Sequence, residues 1–211
     1  MLRPRRRSEH LSRKQVSSLL AAHRFSKVIG RPLNVMVTLN LGHTACHPDR
    51  TSEVFERLRD HHFTRWFRYQ SVRARKMRRP SFGAPTYCWV VEASSGVPHV
   101  HWNVHIPAGL RHAFEAKLPK WLAKVAGAVT SPKAVHAQAI TGLGGLAAYC
   151  SKGIHPSAAA SKFIRPVPQG VVLGKRCGAS RNLGPSSRKW HGVTARTARS
   201  ATRSAAPPPS L

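Results

Sequence analysis

Apolar and polar positions change period several times along the chain, and each change predicts an element. Residues 33–40 (LNVMVTLN) form a short, β-branched run bounded by Pro32 and Gly42, as suits a buried strand. Residues 86–92 and 98–106 are two further β-rich runs, and the short Ser/Gly-containing link between them suits an antiparallel hairpin. Over 50–70, Phe55, Leu58, His62, Phe63, Trp66 and Phe67 recur at three- and four-residue spacing, which predicts an amphipathic helix started by Pro48 and Asp49. A second helix is predicted over 110–126, with Phe114, Leu118, Trp121, Leu122 and Val125 on one face. Pro119 lies inside it, so a kink or a break is expected. A strand over 134–140 and a short helix over 145–152, opened by a Gly-rich turn, complete the list. Strand, helix, strand, strand, helix, strand, helix is the order of an α+β domain, an antiparallel sheet with helices packed against it.

Composition adds a partner to this picture. The 211 residues carry 35 Lys+Arg against 7 Asp+Glu, a formal net charge of +28. Such a molecule repels itself and attracts polyanions, of which nucleic acid is the commonest. The basic residues fall in blocks over 1–31, 57–79 and 175–203. The chain is read as a basic N-terminal extension (1–31), one domain (32–191, with its motif core at 33–154) and a disordered basic tail (192–211) closing on Pro207, Pro208 and Pro209. Cys46, Cys88, Cys150 and Cys177 include no C-x-x-C pair, which argues against a zinc ribbon and a disulfide framework and for reduced thiols in the cytoplasm. No apolar run reaches the roughly 18 residues of a membrane helix, and the Arg-rich start leads into no secretory signal. Residues 170–176 (GVVLGKR) lack the spacing of a P-loop, so an ATPase is not indicated.

Candidate chemistry lies on the hairpin's second strand. Side chains alternate along a strand, so His99, His101, Asn103 and His105 share one face while Val100, Trp102, Val104 and Ile106 fill the other. Two neutral imidazoles one strand-repeat apart can converge on one metal ion, and Glu92 on the partner strand can add a carboxylate. His105 competes with Glu92 as third ligand; Glu92 is favoured because His105 lies about 20 Å from His99 at ~3.3 Å per residue. A His-x-His pair is expected about 0.8 times by chance in a chain so rich in His, so the pair alone carries little. Tyr149-Cys150-Ser151-Lys152, a Tyr-x-x-Lys expected only about 0.16 times, adds a nucleophile and a cation on one side of the short helix.

In VMVTLN (Val35 to Asn40), the E-x6-H-x-H run from Glu92 through His99 and His101, and AAYCSKGI with Tyr149 and Lys152, the chain resembles the HUH endonuclease superfamily, in particular its rolling-circle replication initiators. The resemblance spans 33–154. It implies a divalent metal, Mg²⁺ or Mn²⁺, held by His99, His101 and a nearby acid, and a tyrosine, Tyr149, that attacks the backbone of single-stranded DNA. It further implies a 5′-phosphotyrosine linkage with release of a 3′-hydroxyl, and a DNA target in the form of an origin hairpin. With one tyrosine in the motif, termination needs a second protomer, a water molecule or a second attack by the same residue.

Elementary chemistry agrees with that mechanism. A tyrosine is a poor nucleophile at neutral pH unless something stabilises the phenolate or the charge building on phosphorus. A divalent cation polarises a phosphoryl oxygen, and Lys152 adds a positive charge one turn from Tyr149. The cationic face around Arg65, Arg68, Arg73, Arg75, Lys76, Arg78 and Arg79 can track phosphates, and Lys175, Arg176, Arg181, Arg188 and Lys189 can extend the track. Asn103 and His105 are further candidates for touching DNA, and Trp66 or Trp102 for stacking on bases, although tryptophan in an amphipathic pattern more often belongs to a core. Helicase and polymerase would be separate proteins. The same motifs serve relaxases and single-strand transposases, and the alternative of another class is a non-catalytic basic nucleic-acid-binding protein. The nuclease reading requires Tyr149 to face His99 and His101 across an open basic cleft, with Glu92 in reach of the metal position.

Overall fold

In the computed structural model, residues 6–141 and 149–193 are described. The chain is an α+β domain built on a five-stranded antiparallel sheet, order β5-β2-β4-β3-β7, whose strands are β2 (Val35–Asn40), β3 (Tyr87–Glu92), β4 (His99–Val104), β5 (Val135–Ala139) and β7 (Cys177–Ala179). A small second sheet pairs β1 (Arg7–Ser8) with β6 (Val172–Leu173). The hairpin forms as its sequence indicates: β3 and β4 pair from Tyr87 opposite Val104 to Glu92 opposite His99, joined by a 3₁₀ turn at Ser94–Gly96.

Strict alternation decides which side of this sheet is which. Val35, Val37, Leu39, Trp89, Val91, Val100, Trp102 and Val104 point to the front, where helices cover them. The covering layer is α2 (Thr51–Arg57), a π-helical turn (Leu58–Phe63) and α3 (Thr64–Lys76), joined by α4 (Arg111–Ala126). Eight residues of regular α-helix overshoot two turns by about 80°. The wider π turn takes up that excess. Phe55 and Phe63 therefore both meet the ring of Trp102, at 5.7 and 4.8 Å between centroids.

The helix α4 runs unbroken through Pro119, which corrects the expected break. Pro119 removes one hydrogen bond at about 3 kcal/mol. Burial of Phe114, Leu118, Trp121, Leu122 and Val125 against the sheet, at about 1.5–3 kcal/mol each, outweighs it.

The back of the sheet carries a second, smaller core. Residues 1–31, set apart above by their charge, contain α1 (Arg13–Val28), which packs Val16, Leu19, Ala22 and Phe25 against Cys88, Val90 and Cys177. Ser12 and Gln15 close its start with a reciprocal capping box. Leu11, Cys150 and Ile154 join the same core, so the turn that bears Tyr149 is seated on the back of the sheet. Of the short helix expected over 145–152, residues 145–148 lie outside the described residues, as do residues 194–211 of the basic tail. Among the described residues, no helix is long and apolar enough to cross a membrane, and all four cysteines are free thiols.

Candidate active site

The back of the central hairpin brings three ligand-bearing side chains together. Glu92 and His99 are cross-strand partners, and His101 follows two residues on, so the Glu92 carboxylate and two imidazoles converge with ligand atoms all within 4.8 Å of one another. His99 Nε2 lies 3.3 Å and His101 Nε2 3.4 Å from Glu92 Oε2. Glu92 and His101 form the floor, 1% and 5% exposed, and His99 is part of the rim.

Outer contacts aim the rings. His99 Nδ1 lies 3.2 Å from the Val97 carbonyl, which turns Nε2 of the same ring toward the Glu92 carboxylate. Thr38, opposite His101 on β2, holds that ring's Nδ1 at 3.2 Å. Among the described residues, His101 Nε2 and Glu92 Oε1 are buried without hydrogen-bond partners. Buried polar atoms are rarely left so. The donor set of two nitrogens and one oxygen fits a divalent metal with open positions for further ligands. Glu92, His99 and His101 lie close enough to hold a metal ion.

Tyr149 stands over this floor. Its ring meets that of His101 edge to face at 5.2 Å, and it is 44% exposed. Lys152 reaches the same place from a tight turn, its N–H donating to the Tyr149 carbonyl at 3.2 Å. Such an i to i+3 turn eclipses the two side chains, which keeps the juxtaposition that the helical reading expected. Lys152 Nζ sits 3.9 Å from the centre of the Tyr149 ring and 3.0 Å from Glu92 Oε2. Burial favours loss of the Lys152 proton, but the Tyr149 hydroxyl and the Glu92 carboxylate more than offset this and hold the ammonium above its ordinary value. Burial likewise pushes the Glu92 carboxyl up. The His101 and His99 rings and the Lys152 ammonium outweigh it and hold the group well below the usual carboxylate range.

Asn103, the next residue along the same face of β4, ties the two halves together. It is fully buried, its Nδ2 lying 3.2 Å from Cys150 Sγ, beside Tyr149, and 3.2 Å from His23 Nε2 on α1. Burial removes Asn103 from the candidates for touching DNA, whereas His105 is half-buried. His105 stands beyond the far end of β4, its Nδ1 2.8 Å from the Pro32 carbonyl, and is no third ligand, because six strand residues separate it from His99.

The candidate DNA-binding residues divide. Arg65, Arg68, Arg73, Arg75, Lys76, Arg78 and Arg79 are exposed, but α3 packs on the front of the sheet, across it from Tyr149. Lys175 is exposed beside Trp89, a front-face residue. Arg176 is buried and is corrected from a phosphate ligand to a structural tie: its guanidinium donates to the carbonyls of Ser8, Gln169 and Gly170 at 2.6–2.9 Å. Trp66 and Trp102 are core residues, not stacking platforms. Thr38 and the Val97 carbonyl escaped the reading of the sequence; Thr38 was legible as the polar residue of VMVTLN that alternates onto the His face. Compared with known protein families, with curated proteins and with solved structures, the chain matches none.

Proposed function

We propose that this protein is a metal-dependent endonuclease that nicks single-stranded origin DNA with Tyr149 as nucleophile, and so initiates rolling-circle replication of a plasmid or phage-like element in the cytoplasm of its host. One observation carries the reading: Lys152 touches Tyr149 and Glu92 at once, while the Tyr149 ring meets His101, so nucleophile, cation and metal ligands share one partly open site.

Tyr149 attacks the scissile phosphorus. The bond from its oxygen to phosphorus forms as the bond from phosphorus to the 3′-oxygen breaks. The hydroxyl loses its proton, and the departing 3′-oxygen gains one. Lys152 is placed to stabilise negative charge on the phenolate or on the phosphate oxygens. Glu92, His99 and His101 would hold the metal, and when bound the ion supplies Lewis-acid polarisation of a phosphoryl oxygen. We assign the ion as Mg²⁺ or Mn²⁺, with Mn²⁺ effective at the lower concentration, since two imidazoles suit it better than they suit oxygen-seeking Mg²⁺. Helicase and polymerase act as separate proteins.

A second reading has its own observation. The cationic side of α3 lies across the sheet from Tyr149, which would serve a nucleic-acid-binding protein with no chemistry. The test is incubation with labelled single-stranded DNA and Mn²⁺, followed by denaturing electrophoresis. The nuclease reading expects a covalent adduct that chelator abolishes and that Tyr149→Phe lacks while retaining DNA binding. Binding without adduct under either metal supports the second reading.

A further inference from the structure

Residues 160–171 form a strap that joins the two halves of the site. On the tyrosine side, Val167 N–H donates to the Lys152 carbonyl at 2.8 Å. On the acid side, Ala93 N–H donates to the Gln169 carbonyl at 2.8 Å. The strap lies so close to β3 that a Cβ added at Gly170, whose φ is +64°, would collide with the Ala93 carbonyl. Ile164 anchors it in the back core, to which Cys150 also belongs.

Its neighbour Phe163 does the opposite. The ring is 98% exposed, and its backbone is left-handed, φ 53° and ψ 40°, after the 3₁₀ turn Ala160–Lys162. Glycine or asparagine normally takes such a position. A bulky residue there is a genuine outlier. The chain thus bears an exposed apolar ring and a strained backbone at one residue and gains no packing from either. Strain of this kind concentrates at functional sites. Lys162 and Arg165 flank Phe163 in the sequence, and no Asp or Glu follows Glu115, so the strap carries basic residues and no acidic ones.

We propose that Phe163 is a stacking post for an unpaired base of the same single DNA strand whose phosphate reaches Tyr149, with Lys162 and Arg165 on neighbouring phosphates. An aromatic face accepts any base, and charge complementarity selects a polyanion over an apolar protein partner. The assignment rests on the nuclease reading for its substrate, not for its chemistry.

The test compares wild type, Phe163→Gly and Phe163→Trp for binding of a fluorescent single strand of about 16 nucleotides, scanned with one abasic position at a time. Loss of one stacked base corresponds to about 5- to 150-fold weaker binding. Phe163→Gly should therefore bind at least roughly fivefold more weakly, while Phe163→Trp keeps wild-type affinity. One abasic position should erase the difference between wild type and Phe163→Gly. Because glycine relieves the left-handed backbone, that variant should also melt about 2–4 °C higher, which excludes misfolding as the cause of weak binding. Equal affinity of wild type and Phe163→Gly for every strand overturns the proposal, as does a change in sedimentation with affinity unaltered, the mark of a protein-docking ring. A covalent adduct with no effect of Phe163→Gly leaves the nuclease and removes the post. An effect of Phe163→Gly without any adduct leaves the post and removes the nuclease.

Discussion

The two faces of the central hairpin are made by the same residues in alternation, and they are built for different ends. On the front, Trp102 lies among Phe55, Phe63, Tyr87 and Phe114 at centroid distances of 4.8 to 6.2 Å, an edge-to-face cluster that removes large apolar surfaces from water. On the back, one residue away in either direction, His101 and Asn103 are equally buried, yet among the described residues His101 Nε2 and Asn103 Oδ1 find no hydrogen-bond partner, and neither does Glu92 Oε1. The front is not free of such atoms, since the indole N–H groups of Trp66 and Trp102 also lack a partner among the described residues. The back differs in what is crowded together: a carboxylate and two imidazoles close enough to hold a metal ion, where the front has single N–H groups scattered among aromatic rings.

Breaking the front should have the largest effect. Trp102→Ala removes the centre of the aromatic cluster and is expected to destabilise by about 3–5 kcal/mol, read as a fall in the urea midpoint with or without metal. On the back the sign depends on the ion. In chelator, His101→Ala should leave stability within about 1 kcal/mol of wild type, because removal of the unsatisfied Nε2 offsets the loss of the Thr38 and Tyr149 contacts. With Mn²⁺ at a hundredfold excess over its dissociation constant, wild type should gain about 2.7 kcal/mol and the variant none, seen as a metal-dependent Tm in one and a constant Tm in the other.

Acid sharpens the same contrast. Burial holds the His23 imidazole below its ordinary value of 6.5, with the Leu19 carbonyl partly opposing. The unfolded chain therefore binds the proton more readily. This contribution is full above pH 6.5 and is lost as pH falls below it. Glu92 acts in the same direction further down: its contribution is full above 4.5 and is lost at lower pH. Urea titrations in chelator should show stability falling on the acid side in two stages, and His23→Leu should shrink the first, to which the partly buried His62 and His105 also contribute. The smallest effect is expected on the front surface. Arg73→Glu with Arg75→Glu should reduce the salt dependence of single-strand binding, by about 0.7 logarithmic units per phosphate lost, and leave adduct formation at saturating DNA unchanged.

The faces also differed in how far the sequence exposed them. Period-two alternation placed Trp102 inside and His99 and His101 together, and a short hairpin link left little freedom but to set Glu92 opposite His99. The Tyr149 to Lys152 pairing was legible from its spacing: Tyr149 is helical, and the turn that follows it carries Lys152. What stayed hidden depends on distant partners. Arg176 reads as one more cation in a basic block, and only the carbonyls of Ser8, Gln169 and Gly170 reveal a buried tie. The helix α1 was obscured by the charges along it, yet Ser12 and Gln15 announced its start. Nothing local marks β7, three residues long and held in the sheet by pairing with β3.

The proposed chemistry requires the Tyr149 oxygen and the Glu92, His99 and His101 cluster to meet at one phosphorus atom. Mass mapping of the DNA-linked peptide tests it most directly, since the chain has three tyrosines to choose from. The account predicts a nucleotide phosphate on Tyr149 alone, formed in Mn²⁺ and absent from His99→Ala and His101→Ala. Linkage at the exposed Tyr69 or at Tyr87, or linkage on Tyr149 that persists in chelator, would contradict it.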